Sequence, residues 1–461
     1  MEKLFSLIEA PFIWLSGLAA HREKATTLPH GCHPIGHSLL DSTLGEPVGL
    51  PLSALEKHAY LLGSTGSGKT NLILKLIEQD IERGHSVAIF DLRGDLVERV
   101  LSLCVKKDVH SHRVLLFDLR EKQRVVGFNP LGGDGEPFVR ALHLLEVIRA
   151  ESEGWGVQLE ETMRNCFLLL AHAEQPLTGL EQVLFDEDYL DALLSHCDDP
   201  SVVGFFERYK SLSEEKQLTW ALPVMNKVTP LFATPGLRAV FGAETSIALD
   251  TMLAAKGSIL LVSLAVDELS RSGRMLGSLL VAAITRTMLA RVNIPEVRRN
   301  PVRLYIDEFE NMASESFMEL IAEGRRFKLS LLLSHQNLSQ LTPRLLSTIR
   351  NNVGLQILFR CGFQDAKQLV SELPDGFDLE SLLGLQTGEM FLMPRGAEAN
   401  QVRCALMDTT VKTDDLALYR EEILRDTGTP IDEVLGALKA RRMTGATIES
   451  LQRPWGLGES E

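Results

Sequence analysis

The chain reads as an α/β protein with a mostly parallel sheet and an inserted all-α domain, and three observations predict this. A glycine-rich loop, Gly63-Ser64-Thr65-Gly66-Ser67-Gly68-Lys69-Thr70, joins the apolar run at 59–62 to a helical pattern that begins at Asn71. Further apolar runs at 86–91, 112–118, 257–264, 302–308, 329–336 and 355–360 have the length and uniform hydrophobicity of strands buried on both faces. Between residues 135 and 251 this gives way to apolar residues three and four apart, as at 138–145 and 163–170, which is the helical period.

Bulk properties set the frame for these elements. With 461 residues and 45% hydrophobic composition, the chain is long enough for a large core and two or three domains. The six cysteines, Cys32, Cys104, Cys166, Cys197, Cys361 and Cys404, show no paired spacing, so neither a disulfide framework nor a zinc ribbon is expected and a reducing cytoplasm fits. A formal net charge of −15 argues against a surface that coats nucleic acid generally, yet it permits a locally basic pore, where a few Arg or Lys suffice.

The first segment, residues 1–43, carries an apolar stretch at 4–20 and a linker. Glu9 and Pro11 split that stretch, and roughly 20 uninterrupted apolar residues are needed to cross a bilayer. It therefore reads as a helix packed on its own domain or on a neighbour, with a membrane-surface role as the alternative. His30, Cys32, His33 and His37 look superficially like metal ligands, but no second Cys or His group accompanies them.

The first part of the α/β domain spans 44–134, and its glycine-rich loop is the strongest signal in the chain. A strand that ends in such a loop aims the first N–H groups of the next helix at one point, where a triphosphate can sit. Gly63, Gly66 and Gly68 let the backbone approach, with Ser64, Thr65, Ser67 and Asn71 alongside them; Lys69 reaches the β- and γ-phosphates, and the Thr70 hydroxyl ligates Mg²⁺. The pattern is that of a RecA-like P-loop NTPase domain binding ATP and Mg²⁺. The next strand delivers Asp91 to the carboxyl edge of the sheet as a further candidate nucleotide-binding residue, a third ends at Asp118, and a fourth segment ends in Phe128-Asn129-Pro130-Leu131.

The all-α insertion occupies 135–251, and its acids, Glu160, Glu161, Asp198 and Asp199 among them, read as solvated faces or caps. The α/β domain resumes at 252–410. Its strand at 302–308 ends in Asp307 and Glu308, the pairing expected where one acid orders Mg²⁺ and the next polarises the attacking water. Arg325 and Arg326 close a helix, either as ordinary C-terminal charge or as groups acting in trans on a neighbour's nucleotide. Gln336 ends the following strand within reach of a γ-phosphate, and Arg360 ends the last core strand as a further phosphate sensor. Residues 411–461 read as a charged helical segment with a short polar tail expected to be mobile.

The order of these motifs resembles the HerA/FtsK superfamily of DNA-pumping ATPases, and within it the coupling ATPases of conjugative type IV secretion, the TraG/TraD kind. Those typically carry an Asp-Pro-Lys-Gly-Asp-Leu-like segment where this chain has Asp91-Leu92-Arg93-Gly94-Asp95-Leu96, and an Asn-Pro-Leu segment like that at 129–131. The resemblance implies a hexameric ring with nucleotide between subunits and DNA, single- or double-stranded, driven through a central pore. It implies Lys69 and Thr70 for phosphate and Mg²⁺, Asp307 for the metal, Glu308 for water, Gln336 for the γ-phosphate, and Arg325 or Arg326 across the interface. Relaxases, secretion components or nucleases are the implied protein partners. Membrane-anchored coupling proteins begin with transmembrane helices and HerA proteins with a β-barrel; this chain fits a cytosolic, coupling-type member, with peripheral inner-membrane contact through 4–20 left open. A nucleotide-dependent assembly hub that docks proteins through the all-α domain is the competing reading.

Overall fold

The computed structural model describes residues 32–40, 43–133, 135–312, 314–373, 377–396 and 399–444. The expected apolar helix at 4–20 and the tail at 445–461 lie outside these described residues. In chain order the strands are β1 (Cys32–Leu40), β2 (Thr43–Pro51), β3 (Ala59–Leu62), β4 (Ser86–Asp91), β5 (Val114–Asp118), β6 (Arg124–Val125), β7 (Ile259–Ser263), β8 (Val302–Asp307), β9 (Leu329–His335), β10 (Leu355–Phe359), β11 (Glu389–Pro394), β12 (Asn400–Arg403) and β13 (Thr429–Pro430). The fold is α/β, with a RecA-like, mostly parallel core and a run of helices between β6 and β7. It divides into two compact units, one made of residues up to Gln79 and Ser330–Asp408, the other of Asp80–Leu329 and residues from Thr409 on.

In the first unit the strand order is β2-β1-β12-β11-β10-β3-β9. Central β3 pairs in parallel with β9 and β10, and from β10 outward every pairing is antiparallel. All of β3 and β9 is buried, which is why these strands read as continuous apolar runs. Antiparallel β1 and β2 carry weaker sequence signals because exposed and buried positions mix along them, and in four-residue β12 Val402 alone is buried. His58 enters β3 at a left-handed φ of 59°, and its Nδ1 accepts the Leu331 N–H at 2.9 Å. In the same sheet the Tyr60 and His335 rings lie with centroids 5.2 Å apart and planes tilted by 35°, and share a short hydrogen bond between the phenol and Nε2. Burial, with the Lys69 ammonium as second cause, draws the His335 imidazole down from 6.5 to about 3, so it stays neutral.

In the second unit β8, β4, β7 and β5 pair in parallel in that order. The strands β4 and β7 are buried along their whole length. The segment ending in Phe128–Leu131 holds no further core strand. Its short β6 pairs with β13 in a separate ribbon, because the Phe128 N–H goes to the Val240 carbonyl at 2.8 Å and the Ile247 N–H to that of Gly127 at 2.8 Å. Asn129 completes this seam, donating from Nδ2 to Gln175 O and accepting the Leu131 N–H on Oδ1. Helices fill residues 137–254, with Pro137–Ala150 packed on Val157–His172. The Arg271–Leu289 helix and its following turn are long and apolar enough to cross a membrane, yet 72% of that window is buried inside the structure, as in a core helix of a soluble protein.

One buried charge cluster holds β8 in this unit. Asp80 is wholly buried; it accepts from the Arg303 guanidinium and, at 2.5 Å, from the Tyr305 hydroxyl, and it lies 3.0 Å from His85 Nδ1. Burial, followed by the Asp80 charge, pushes the Tyr305 phenol well above its ordinary value, so it remains a donor. Removing one partner of such a cluster leaves the other charge buried and uncompensated. Asp80→Ala is expected to cost about 3–5 kcal/mol of stability, and Tyr305→Phe only about 1–2 kcal/mol, as read from denaturant-unfolding midpoints.

The neutral His335 sets a second expectation. Between pH 6.5 and about 3 the unfolded chain binds a proton at this imidazole that the folded chain does not, so its contribution to stability falls as pH falls through that window. Between pH 6 and pH 5 the wild-type protein should lose about 1 kcal/mol more than His335→Asn does. Equal losses in the two proteins would contradict a buried neutral imidazole.

Candidate functional site

The glycine-rich loop occupies the space between the end of β3 and the Lys69–Glu82 helix, and each of its glycines has its own reason. Gly66 sits at φ +75° with open space where a Cβ would go, so its constraint is conformational. Gly68, at φ +113°, also lies so close to Gly388 that a Cβ would fall 2.8 Å from the Gly388 nitrogen. At Gly63 the limit is packing alone, since a Cβ there would meet Phe359 at 2.5 Å.

Neighbouring strand ends fix the loop. The Ser64 N–H and Oγ both donate to the Arg360 carbonyl at 2.9 Å, tying the loop to the end of β10. On the β9 side the Gly63 N–H donates to His335 O, and Thr65 Oγ1 donates to Gln336 Oε1 at 2.9 Å. The segment before β11 contributes a third support, with the Gly388 N–H on Ser67 O at 2.8 Å and Thr387 Oγ1 on Gly66 O at 3.2 Å. Lys69 is only 8% exposed, and its ammonium donates to the carbonyls of Gly63 and Ser64. Buried Ser67 Oγ has no hydrogen-bond partner among the described residues. Thr70 is half-buried in the first turn of the helix.

Two residues expected to contribute to nucleotide binding, Asn71 and Asp91, make hydrogen bonds within the chain. Asn71 donates to Ala405 O at 2.9 Å and accepts the Met407 N–H at 2.8 Å, clamping the segment that leaves β12. In the second unit Asp91 accepts three backbone N–H groups, from Arg93 at 2.9 Å, Leu96 at 2.7 Å and Val97 at 3.1 Å. Oδ2 takes the Leu96 and Val97 donors in the first turn of the Asp95–Lys106 helix and so caps it, while Oδ1 holds the Arg93 N–H in the turn before it.

Also in the second unit, β8 ends at half-buried Asp307, whose Oδ1 accepts the Glu308 N–H at 3.1 Å. Glu308 takes a left-handed φ of 52°, an unusual conformation for a residue with a side chain. Its carbonyl accepts both the N–H and the Nδ2 of Asn311, and its carboxylate lies 3.7 Å from the Arg93 guanidinium. Arg325 and Arg326 are exposed on the Gly324–Phe327 turn. Arg326 pairs with Glu323 at 2.9 Å, whereas the Arg325 side chain makes no ion pair or hydrogen bond among the described residues. Arg360 is half-buried at the end of β10.

Sequence reasoning left out Thr387, Gly388, His335 and Arg93. The first two lie more than 300 residues from the loop they support, and nothing local marks such a contact. No group of His, Cys, Asp and Glu residues among the described residues is arranged to hold a metal by itself.

Residues 44–131 match the family model for the DNA-binding domain of type IV secretion-system coupling proteins. The DNA import protein CedB of Sulfolobus acidocaldarius is 22% identical over 348 residues, which cover 73% of this chain and 50% of the relative. The DNA double-strand break repair helicase HerA of the same organism is 34% identical over 84 residues, 18% of this chain and 16% of the relative. The chain thus spans about half the length of the first relative and far less of the second. Among solved structures, the plasmid coupling protein TrwB in complex with ADP and Mg²⁺ superimposes with a TM-score of 0.59 at 16% identity, over 86% of this chain and 92% of that one. The chain has the coupling-protein fold, and its sequence is similar to HerA/FtsK-type coupling ATPases.

Proposed function

We propose that this chain is a Mg²⁺-dependent ATPase that moves DNA, acting as a ring of six copies in conjugative transfer or in DNA processing with a partner nuclease. The observation that carries the reading is the loop at 63–70, whose three glycines are held in conformations and contacts that a side chain would block. The donor set fits a triphosphate with its metal: a buried ammonium turned onto the loop, an unpartnered buried hydroxyl at Ser67, and a helix N-terminus at Lys69. Solved TrwB complexes with ADP and Mg²⁺ and with a non-hydrolysable ATP analogue support the same ligand class. The DNA-binding family description and the names of both curated relatives support DNA as the load.

In this reading Lys69 binds the β- and γ-phosphates as a point charge, and the loop N–H groups orient the phosphate chain. Thr70 and Asp307 hold Mg²⁺, which when bound draws negative charge from the phosphate oxygens. Glu308 accepts the proton of the attacking water, and Gln336, joined to the loop through Thr65, responds to the γ-phosphate. Exposed Arg325 is the first candidate for a cation supplied to a neighbouring copy, with Arg326 and Arg360 as alternatives.

ATP hydrolysis by the wild-type protein should rise on adding DNA, and Lys69→Ala should abolish both basal and stimulated rates. Glu308→Gln should lower kcat by about 10²–10⁴-fold while retaining affinity for a non-hydrolysable ATP analogue. Hydrolysis indifferent to DNA but raised by a protein client would favour the assembly-hub reading instead. Native mass measurement with the analogue, with and without DNA, should give a six-fold species that retains DNA; a monomer under all conditions would sink the ring.

A further inference from the structure

Arg93 stands in the segment that follows β4, two residues after Asp91, whose carboxylate is taken up by backbone N–H groups. Its guanidinium lies 3.7 Å from a Glu308 carboxylate oxygen, with Arg93 64% and Glu308 20% exposed. An ion pair this open contributes little to stability. Both ends are nonetheless held by more than their charges. The Glu308 backbone is fixed at positive φ by Asn311 and by the Asp307 carboxylate. The Arg93 backbone is fixed through its N–H on Asp91 and through its carbonyl, which accepts from the Arg120 guanidinium. Arg120 is anchored in turn by Asp267 at 2.6 Å and Glu268 at 3.3 Å. Gly94 makes this crossing possible, because at φ +95° a Cβ there would strike Arg120 and Ser263.

We propose that Arg93 is a positioning residue for Glu308, restraining its carboxylate in one direction so that the water-activating oxygen is oriented before hydrolysis. This rests on the assignment of Glu308 as the general base given above. A side chain beginning from a left-handed backbone position leaves the strand in an unusual direction, and a cation 3.7 Å away limits the rotamers it samples. A flexible base loses rate without losing substrate affinity, since nucleotide is bound by other groups.

The test compares wild type, Arg93→Ala, Arg93→Lys and Glu308→Gln in the full chain, measuring ATPase kcat and KM, binding of a non-hydrolysable ATP analogue, and Tm. Arg93→Ala should lower kcat about 10- to 100-fold, with KM, analogue affinity and Tm unchanged, and Arg93→Lys should recover most of the loss because it returns the charge. An unchanged kcat in Arg93→Ala, a loss of analogue affinity or Tm that accompanies the rate, or no recovery with Lys would overturn the proposal while leaving the role of Glu308 intact. Should Glu308→Gln hydrolyse ATP as fast as wild type, the general-base assignment itself fails and this inference falls with it.

Discussion

Backbone must approach backbone and packed side chain around the 63–70 loop, and most of the first unit follows from that requirement. Phe359 sits where a Gly63 Cβ would be, and Gly388 where a Gly68 Cβ would be. These contacts demand that β10 lie directly beside β3, and that the turn into β11 reach back over the loop. The antiparallel strands β11 and β12 therefore do more than extend the sheet. Their flanking residues supply Thr387, Gly388 and the segment that grips Asn71, so the loop is supported from β9, from β10 and from the chain after β12.

Acids at comparable places in the second unit have different surroundings, and those surroundings decide what each can do. Asp91 ends a parallel strand but has three backbone donors on its carboxylate, which leaves it a cap. Asp80 is buried against Arg303 and Tyr305, a cluster too enclosed for solvent or ligand. Asp307 and Glu308 are half-buried, with the Glu308 N–H on the Asp307 carboxylate and the Arg93 guanidinium 3.7 Å from that of Glu308. Residue type and strand position are shared by Asp91 and Asp307; burial separates them, Asp91 being 6% exposed and Asp307 half-buried.

The parts legible in the sequence are those whose physics is local. Runs buried on both faces announce themselves, so β3, β4, β5, β7, β8, β9 and β10 stand where uniform apolar stretches predict strands. The helical period after residue 135 is equally local. By contrast β11 and β12 leave little trace, and the histidine-rich stretch at 30–37, which only superficially looks like a set of metal ligands, forms in its described part the antiparallel strand β1, with His33 hydrogen-bonded to Gln79. Asn71 follows the loop and so invites a ligand role; the clamp that occupies it comes from residues more than 330 positions away. Cap geometry at Asp91 is a three-dimensional fact that the sequence Asp-Leu-Arg-Gly-Asp does not spell.

An excess of fifteen negative charges over the whole chain conceals how thoroughly acids are matched at the strand ends of the second unit. Asp118, the last residue of β5, meets Arg420 at 2.8 Å, and Arg420 also meets Glu98, so the Thr413–Thr427 helix is drawn onto this edge by charge as well as by packing. Arg120 gathers Asp267 and Glu268 from the turn after β7 and holds the Arg93 carbonyl. Arginines at 93, 120 and 420 thus set a locally balanced field along β8, β4, β7 and β5, in which a further anion would meet compensated carboxylates rather than bare ones. Net charge governs solubility and long-range steering, while the affinity of a site for phosphate is settled within a Debye length of about 8 Å. An acidic protein can therefore carry anion-binding machinery, provided its cations stand at the strand ends.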